Sequence, residues 1–283
     1  MTYTKEEEKF ILDNYKVLRV AEIASSLNRK VPAIIIKARR LGLARKGLFN
    51  YEMDFNVNEF LFNPKFIYLL GFIWADGHLT KERCRFGLSM ELKSTDGENL
   101  KELFSSLVPM RYRLYEKKGG YKTSAFYCRN KELCSFLGEN DYCTKSSCEP
   151  TKILSKIKED FHIFFWKGFF DGDGSISPNE RHRLVAFSGT YDYKWEELAA
   201  FFQKLEISIK IIRITTKYGK CSQATFCKRD WVEKFFRLIY PNKYDFGLKR
   251  KYDKFLLQPL KIKCSKRWPR PEWEIEDNRH YKD

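Results

Sequence analysis

Two aspartates of this sequence stand directly before a glycine, at Asp76-Gly77 and Asp173-Gly174, and they lie 97 residues apart. Each pair follows an apolar run, so we expect it to close a helix, with the glycine in the left-handed conformation. A carboxylate is disfavoured at a helix C-terminus unless a cation lies beside it. Hard oxygen ligands of this kind suit Mg²⁺, which can activate water to hydrolyse a phosphodiester bond. A single Asp-Gly is more often an ordinary cap or turn.

Small residues recur four positions apart within each of the two expected helices. They are Gly71 and Ala75 in the first, and Gly168 and Gly172 in the second. Such stripes let two backbones approach closely, which would bring Asp76 and Asp173 side by side. Two carboxylates at that point would repel each other unless a divalent metal bridged them. The expected N-caps are Asn63, followed by Pro64, for the first helix and Asp160 for the second.

The sequence around the two motifs is repeated. FIYLLGFIWADGHL (66–79) matches IFFWKGFFDGDGSI (163–176), and SAFYCRNKELCSFL (124–137) matches QATFCKRDWVEKFF (223–236), which pairs Cys128 with Cys227. Two matches at nearly one offset indicate a duplicated unit of roughly 95 residues. Each copy reads helix-strand-strand-helix-strand-strand-helix. The predicted fold class is therefore α+β, a duplicated αββαββα core with pseudo-twofold symmetry, preceded by a small three-helix domain.

The chain is strongly basic, with 53 Lys and Arg against 37 Asp and Glu and a net charge of +16. This excess favours a polyanionic partner, nucleic acid first, although a merely soluble basic protein is the alternative. A period of two places Phe86, Leu88 and Met90 on one face of a strand. Each candidate for DNA contact on the strands could also simply lie on a charged face exposed to solvent. The candidates are Arg83, Arg85, Ser89, Glu91, Arg113, Tyr115, Lys117, Arg183, Arg213, Thr215 and Lys217.

The first 46 residues predict a helix-turn-helix. Thr4 and Glu7 form a capping box at the start of one helix, a second fits Val20 to Leu27, and a third fits Pro32 to Leu41. The segment resembles the Myb-like and homeodomain-like DNA-binding modules. In such modules the third helix can lie in the major groove. Its candidate DNA-binding residues are Lys30, Lys37, Arg39 and Arg40. A small helical protein-interaction domain is the alternative.

The segments LLGFIWADG (69–77) and WKGFFDGDG (166–174) resemble the paired motifs of the LAGLIDADG homing endonuclease family. The resemblance covers about residues 60 to 258. It implies a twice-fused αββαββα unit whose sheets form a saddle over DNA, with Asp76 and Asp173 as metal ligands. In the first motif, Trp74 stands where the family has its inner aspartate, whereas the second motif keeps that aspartate as Asp171. At the start of the second motif, Trp166-Lys167 stands in place of Leu-Ala. The backbone beside Ala75 is not assigned as a ligand.

The same resemblance implies a basic residue near the scissile phosphate. The candidates are Lys145, Lys249 and Lys251. A lysine there could steady the attacking water or the charge of the transition state. Plain contact with the phosphate backbone is an equally good interpretation of each.

The expected function is that of a site-specific, Mg²⁺-dependent double-strand DNA endonuclease, a monomer on a long asymmetric site, with intron homing as its setting. A non-catalytic DNA-binding regulator and an RNA-binding intron maturase stay open, although retention of both acids favours the enzyme. No apolar run is long enough for a membrane span. The scattered cysteines have no zinc spacing and are typical of buried residues in a reducing compartment, so we expect an intracellular protein, in a bacterial or phage cytoplasm or an organelle. The predicted organisation is a helix-turn-helix domain at 1–46, a linker at 47–63, repeats at 64–162 and 163–258, and an extension at 259–283.

Overall fold

The computed structural model describes residues 3–15, 18, 20–43, 56–82, 85–117, 119–145, 148–178, 183–217, 219–241 and 245–256. The chain divides into two compact units, Met1–Met53 and Asp54–Asp283. The predicted extension at 259–283 and residues 47–55 of the predicted linker lie outside the described residues. None of the described helices is both long enough and apolar enough to cross a membrane.

The first unit contains three short helices, α1 (Lys5–Asn14), α2 (Val20–Ser26) and α3 (Val31–Arg40). The predicted capping box is confirmed at the start of α1. There the Thr4 hydroxyl accepts from the backbone N–H of Glu7, whose carboxylate accepts from the N–H of Thr4. The turn between α2 and α3 places Asn28 at a positive φ of 45°. The core of this unit consists of Ile11, Tyr15, Ile23, Ala24, Ile34 and Ala38.

The second unit contains two copies of one element order. The first copy is α5 (Pro64–Asp76), β1 (Gly77–Glu82), β2 (Arg85–Lys93), α6 (Ser94–Leu107), β3 (Met110–Glu116), β4 (Lys122–Cys128) and α7 (Lys131–Glu139). The second copy is α9 (His162–Asp173), β5 (Gly174–Pro178), β6 (Arg183–Thr190), α10 (Glu196–Lys204), β7 (Lys210–Thr216), β8 (Gly219–Phe226) and α11 (Arg229–Ile239). The predicted α+β class and the duplicated αββαββα order are confirmed in the described residues.

Among the described residues of this unit, three further α-helices lie outside the repeated order. They are α4 (Val57–Phe60), α8 (Thr151–Leu154) and α12 (Lys249–Leu256). The short helix α4 falls within the range predicted as a linker. It is tied to the first copy, because the N–H of Val57 donates to a carboxylate oxygen of Glu132 in α7 at 2.9 Å.

Each copy has a four-stranded antiparallel sheet, in the orders β1-β2-β4-β3 and β5-β6-β8-β7. Successive residues of a strand point to opposite faces, so burial distinguishes the two faces of each sheet. The helix-covered face of the first sheet carries Leu88, Met90 and Phe126. In the second sheet it carries Val185, Phe187, Ala224 and Phe226. We call the opposite face of each sheet its open face.

The strand register corrects the second sequence match. Leu88 pairs with Cys128 in the first sheet, and Val185 pairs with Phe226 in the second. The counterpart of Cys128 is therefore Phe226, and the predicted pairing with Cys227 is displaced by one residue. The burial agrees, because Cys128 is buried and Cys227 is exposed. A shift of one residue exchanges the faces of a strand, so it changes which side chains of the second copy reach its open face.

Candidate active site and nucleic-acid interface

The helices α5 and α9 pack along the small residues of the two motifs. A Cβ built on Gly71 would lie 1.9 Å from the carbonyl oxygen of Phe165, and one on Gly168 would lie 1.9 Å from that of Tyr68. These separations are far inside van der Waals contact, so the two backbones approach this closely only because both positions are glycine. The contact fixes where each helix ends relative to the other.

Replacing Gly168 with alanine is expected to destabilise the protein by about 3 kcal/mol, because the new methyl group overlaps backbone in a packed core. Urea unfolding measures the change in the free energy of unfolding. The matched control is Gly138→Ala in α7, where the nearest atom to a new Cβ is 4.0 Å away. That variant should be neutral or slightly more stable, since alanine favours a helix over glycine by about 1 kcal/mol. Equal midpoints for the two variants would contradict the described helix contact.

The motif aspartates are the last residues of their helices, Asp76 in α5 and Asp173 in α9. The predicted left-handed conformation of the next glycines is wrong. Gly77 has φ −78° and Gly174 has φ −88°, both in extended backbone. Glycine is needed there for room, since a Cβ on either would lie 2.5 Å or less from the carbonyl oxygen four residues earlier. In each copy, a strand thus begins at the residue directly after the motif helix.

The two motif helices begin differently. The predicted N-cap of α5 is confirmed, because the Asn63 side chain accepts from the N–H of Lys65 and Pro64 occupies the first helical position. The predicted N-cap of α9 is wrong. Asp160 lies in a short 3₁₀ helix, and α9 starts at His162 without a side-chain cap. The 3₁₀ helix runs directly into α9, so no capping side chain separates the two.

The end of α9 lies beside the carboxylate of Asp76. A Cβ on Gly172 would lie 3.3 Å from Asp76 Oδ2 and 2.5 Å from the Cβ of Ala75. Burial, and then the negative charge of Asp173, raise the pKa of Asp76 to about 7, while Lys145 acts in the opposite direction. The two partly buried carboxylates therefore repel each other. A divalent cation at this point would offset that repulsion.

The donor set fits a cation that keeps much of its own water. Within the described ranges, no group of three or more His, Cys, Asp or Glu side chains could hold a metal ion. Structural zinc sites need four protein ligands, whereas Mg²⁺ is commonly held by one or two carboxylates together with water and substrate phosphates. Asp76 and Asp173 match the second pattern.

Without divalent metal, Asp76→Asn is expected to stabilise the protein at pH 8 but not at pH 4. The pKa of the carboxyl rises from 3.8 to about 7 on folding. A raised carboxyl pKa means that wild-type stability is lost as pH rises through this window. Asparagine stays neutral, so the difference in free energy of unfolding should open between these limits and reach a few kcal/mol, to order of magnitude.

Thermal unfolding in EDTA at several pH values checks this expectation. The control variant, Asp192→Asn, changes an exposed acid in a turn and should follow wild type throughout. If Asp76→Asn were no more stable than wild type at pH 8, the carboxyl would not be under the repulsion described.

The three candidate lysines occupy different surroundings. Lys145 is exposed, and its positive charge acts to lower the pKa of the Asp76 carboxyl. Lys249 is exposed, and its ammonium lies 2.9 Å from both carboxylate oxygens of Asp253. Lys251 is 2% exposed, and its ammonium donates to the carbonyl oxygens of Phe170, Asp171 and Gly174. Burial lowers its pKa to about 8. Lys251 therefore holds the C-terminus of α9 together.

The inner motif positions differ between the copies. Asp171 is fully buried, where its Oδ2 accepts from the hydroxyl of Tyr68 and the N–H of Leu248, both at 2.8 Å. Burial raises the pKa of Asp171. At the matching position, the indole N–H of Trp74 donates to the carbonyl oxygen of Cys148 at 2.9 Å. Both residues bind the segment that follows their own repeat, so each anchors a chain segment.

Two polar contacts that the sequence interpretation missed also anchor these elements. Tyr142 donates its hydroxyl to the carbonyl oxygen of Ile73 at 2.6 Å, near the end of α5. Arg250 in α12 forms a bidentate ion pair with the buried Asp96 of α6, with N–O distances of 2.7 and 2.8 Å. The second contact joins α12 to the first copy through residues far apart in sequence. No spacing in the sequence signals either one.

The open face of the first sheet carries most of the predicted strand residues that the structure describes. Arg113 pairs with Ala125 and Tyr115 with Thr123, on the face that also carries Ser89 and Glu91. Glu91 accepts from the Tyr115 hydroxyl and, at 2.8 Å, from the ammonium of Lys117. Arg83 and the side chains of Arg85 and Arg183 lie outside the described residues. Further open-face residues, which a period of two along β2, β3 and β4 would have found, are Lys93, Arg111 and Tyr127.

The register of the second sheet assigns its outer strand differently from the sequence interpretation. Arg213 pairs with the buried Ser222, and Thr215 follows two residues later, so both point to the helix-covered face. Lys217 lies in the turn after β7. The physical reason is that the pairing of β7 with β8, which the sequence does not specify, decides the face of each β7 residue. The open-face residues of β7 are Lys210, Ile212, Ile214 and Thr216.

The predicted basic residues of the first unit are not equally accessible. Lys30, Arg39 and Arg40 are exposed on or beside α3. Lys37 instead forms an ion pair with Glu8 of α1, and its ammonium lies over the ring of Tyr3. Lys37 therefore joins two helices of the unit.

Comparison with known proteins gives a family domain and a fold. Residues 160–240 match the model of the LAGLIDADG-like domain. The chain is similar to the homing endonuclease I-WcaI bound to its DNA recognition sequence, with 18% identity, coverage of 78% of this chain and 97% of that chain, and a TM-score of 0.54.

Two other solved structures are similar at lower TM-scores. A single-residue variant of I-DmoI, in complex with its target DNA in the presence of magnesium, has 15% identity, coverage of 67% of this chain and 100% of that chain, and a TM-score of 0.47. The N-terminal LAGLIDADG domain of DUF199/WhiA has 17% identity, coverage of 74% and 98%, and a TM-score of 0.44. No curated protein gives a significant match. Residues 160–240 of this chain are thus a LAGLIDADG-like domain, and the duplicated core has the fold of the LAGLIDADG homing endonucleases.

Proposed function

We propose that this protein is a site-specific double-strand DNA endonuclease that works with a divalent metal, Mg²⁺. The observation that carries the proposal is the position of the two motif carboxylates. Asp76 is partly buried at the end of α5, and this burial, followed by the charge of Asp173, raises its pKa. A protein gains nothing in stability from such a pair, whereas a metal-dependent hydrolase needs one. The similar homing endonuclease I-WcaI is bound to its DNA recognition sequence, which supports DNA as the substrate.

Asp76 and Asp173 would hold the metal, which supplies a Lewis acid and an activated water for phosphodiester hydrolysis. We assign the basic role beside the scissile phosphate to Lys145, because it is exposed and its charge already acts on Asp76. An ammonium in that position stabilises negative charge that develops on the phosphate oxygens. Lys251 is assigned to positioning, because its ammonium is used by the carbonyl oxygens at the end of α9.

The open faces of the two sheets would contact the DNA. We infer that the protein acts as a monomer on an asymmetric site, because one chain supplies both motif helices and the two open faces carry different side chains. The first unit would add affinity through the exposed Lys30, Arg39 and Arg40. A tethered second module raises affinity by effective concentration without a new contact in the core.

Selection from a randomised duplex library tests the proposal. The full chain is first used to recover bound DNA in EDTA, and the recovered DNA is then incubated with protein and Mg²⁺. We expect one preferred sequence, cut in both strands. A chain without residues 1–46 should bind it about 10²-fold more weakly and cut at the same position. Selective duplex binding without cleavage would identify a regulator. If no duplex is selected and a parallel titration shows selective binding of an intron RNA, the protein would be a maturase.

A further inference from the structure

The outer strands of the two sheets present different chemistry at matching positions of the open face. In β3 these positions hold Arg111, Arg113 and Tyr115, which pair with Tyr127, Ala125 and Thr123. In β7 they hold Lys210, Ile212 and Ile214, which pair with Thr225, Gln223 and Cys221. An arginine and a tyrosine of the first sheet are thus replaced by two isoleucines in the second.

The difference extends across the sheets. The open face of the first sheet adds the charged side chains of Glu91 and Lys93. Among the side chains that the structure describes, Lys210 is the one charged group on the open face of the second sheet. Its other described residues are apolar, hydroxyl, thiol or amide side chains, namely Ser175, Ser177, Leu184, Ala186, Ser188, Thr190, Ile212, Ile214, Thr216, Cys221, Gln223 and Thr225.

We propose that the second sheet reads A·T base pairs through thymine methyl groups, whereas the first sheet reads guanine through arginine. This inference rests on the proposed function, since it specifies the DNA that the endonuclease recognises. In the major groove, arginine forms bidentate hydrogen bonds with guanine, glutamine does so with adenine, and aliphatic side chains contact the thymine methyl group. A phosphate offers an aliphatic side chain nothing comparable.

The pairing of Ile212 with Gln223 makes the assignment specific. The two residues are direct cross-strand neighbours on the open face. One A·T pair presents a methyl group on thymine and a donor-acceptor pair on adenine along the same groove edge. Ile212 and Gln223 can therefore read the two bases of a single pair. The Gln223 amide already donates to the Ser188 hydroxyl at 3.3 Å, which orients it along this face.

Deoxyuridine substitution tests the inference, because it removes the thymine methyl group and leaves base pairing intact. The full chain is titrated with its selected site, in EDTA, after thymines in one half-site or the other are replaced by deoxyuridine. The half-site that contacts the first sheet is identified with the Arg113→Ala protein, which should no longer distinguish a G·C pair from an A·T pair there. We expect about a fourfold loss of affinity per methyl group that contacts the second sheet, and little change in the other half-site.

Two variants separate the contact from a general loss of binding. Ile212→Ala should abolish the deoxyuridine effect at the thymine that Ile212 contacts, whereas the control Arg113→Ala should retain it. Equal deoxyuridine effects in both half-sites, or an effect unchanged by Ile212→Ala, would overturn the inference while leaving the endonuclease proposal standing. The absence of any sequence-selective binding would instead overturn the proposed function.

Discussion

Replacing either Asp76 or Asp173 with asparagine is expected to reduce double-strand cleavage in Mg²⁺ by about 10³-fold or more, as the loss of an essential catalytic group commonly does. Each carboxylate ends a motif helix, and together they are the proposed protein ligands of the metal. Affinity for the DNA site should be unchanged or slightly higher, because a negative charge is removed near phosphate. Cleavage under single-turnover conditions and binding in EDTA are measured separately.

The matched control for this prediction is again Asp192→Asn, which removes an exposed acid outside the motifs and should cut like wild type. Both single variants should be defective, because each motif supplies one of the two carboxylates and neither can replace the other. Near-normal double-strand cleavage by either Asp76→Asn or Asp173→Asn would overturn the assignment of the site.

Affinity for the DNA site is expected to fall by about 10³-fold or more between 50 and 200 mM salt. The chain carries a net charge of +16, and six to ten contacts with phosphates would release that number of counterions. The slope of log affinity against log salt concentration counts these contacts. A nearly flat dependence would contradict a long basic interface.

A pair of lysine variants locates the contacts. Lys93→Gln on the open face of the first sheet should lower the slope by about 1. Lys204→Gln in α10, where the lysine pairs with Glu159 at 2.6 Å, should leave it unchanged. If the two variants changed the slope equally, the open face would not be the DNA-binding surface.

The duplicated fold could be predicted because its signals are local or repeat along the chain. The matching runs at 66–79 and 163–176 gave the duplication, and the capping residues Thr4 and Asn63 gave two helix starts. The pairing of the motif acids was predicted for a similar reason. The small residues at Gly71 and Gly168 stand at helical spacing, and close helix packing needs them.

The register of the second sheet could not be predicted in this way. The match of Cys128 with Cys227 is convincing in sequence, yet Phe226 takes the buried position. A one-residue shift conserves composition and period, so only the packing of the helix-covered face decides it. In the resulting register, Arg213 lies on the helix-covered face and Ile212 lies on the open face.

By itself, the sequence determined the two motif helices, their acids and the basic character of the chain, because these depend on residue type and spacing along one segment. Only the tertiary structure distinguishes the surroundings of the three candidate lysines. Lys251 lies on α12, and its ammonium reaches carbonyl oxygens about 80 residues earlier in the chain, a contact between distant segments that no local pattern encodes. The same is true of Arg250 and Asp96, whose ion pair joins α12 to the first copy. Such long-range contacts decide which charged side chains are paired inside the fold and which stay exposed on its surface.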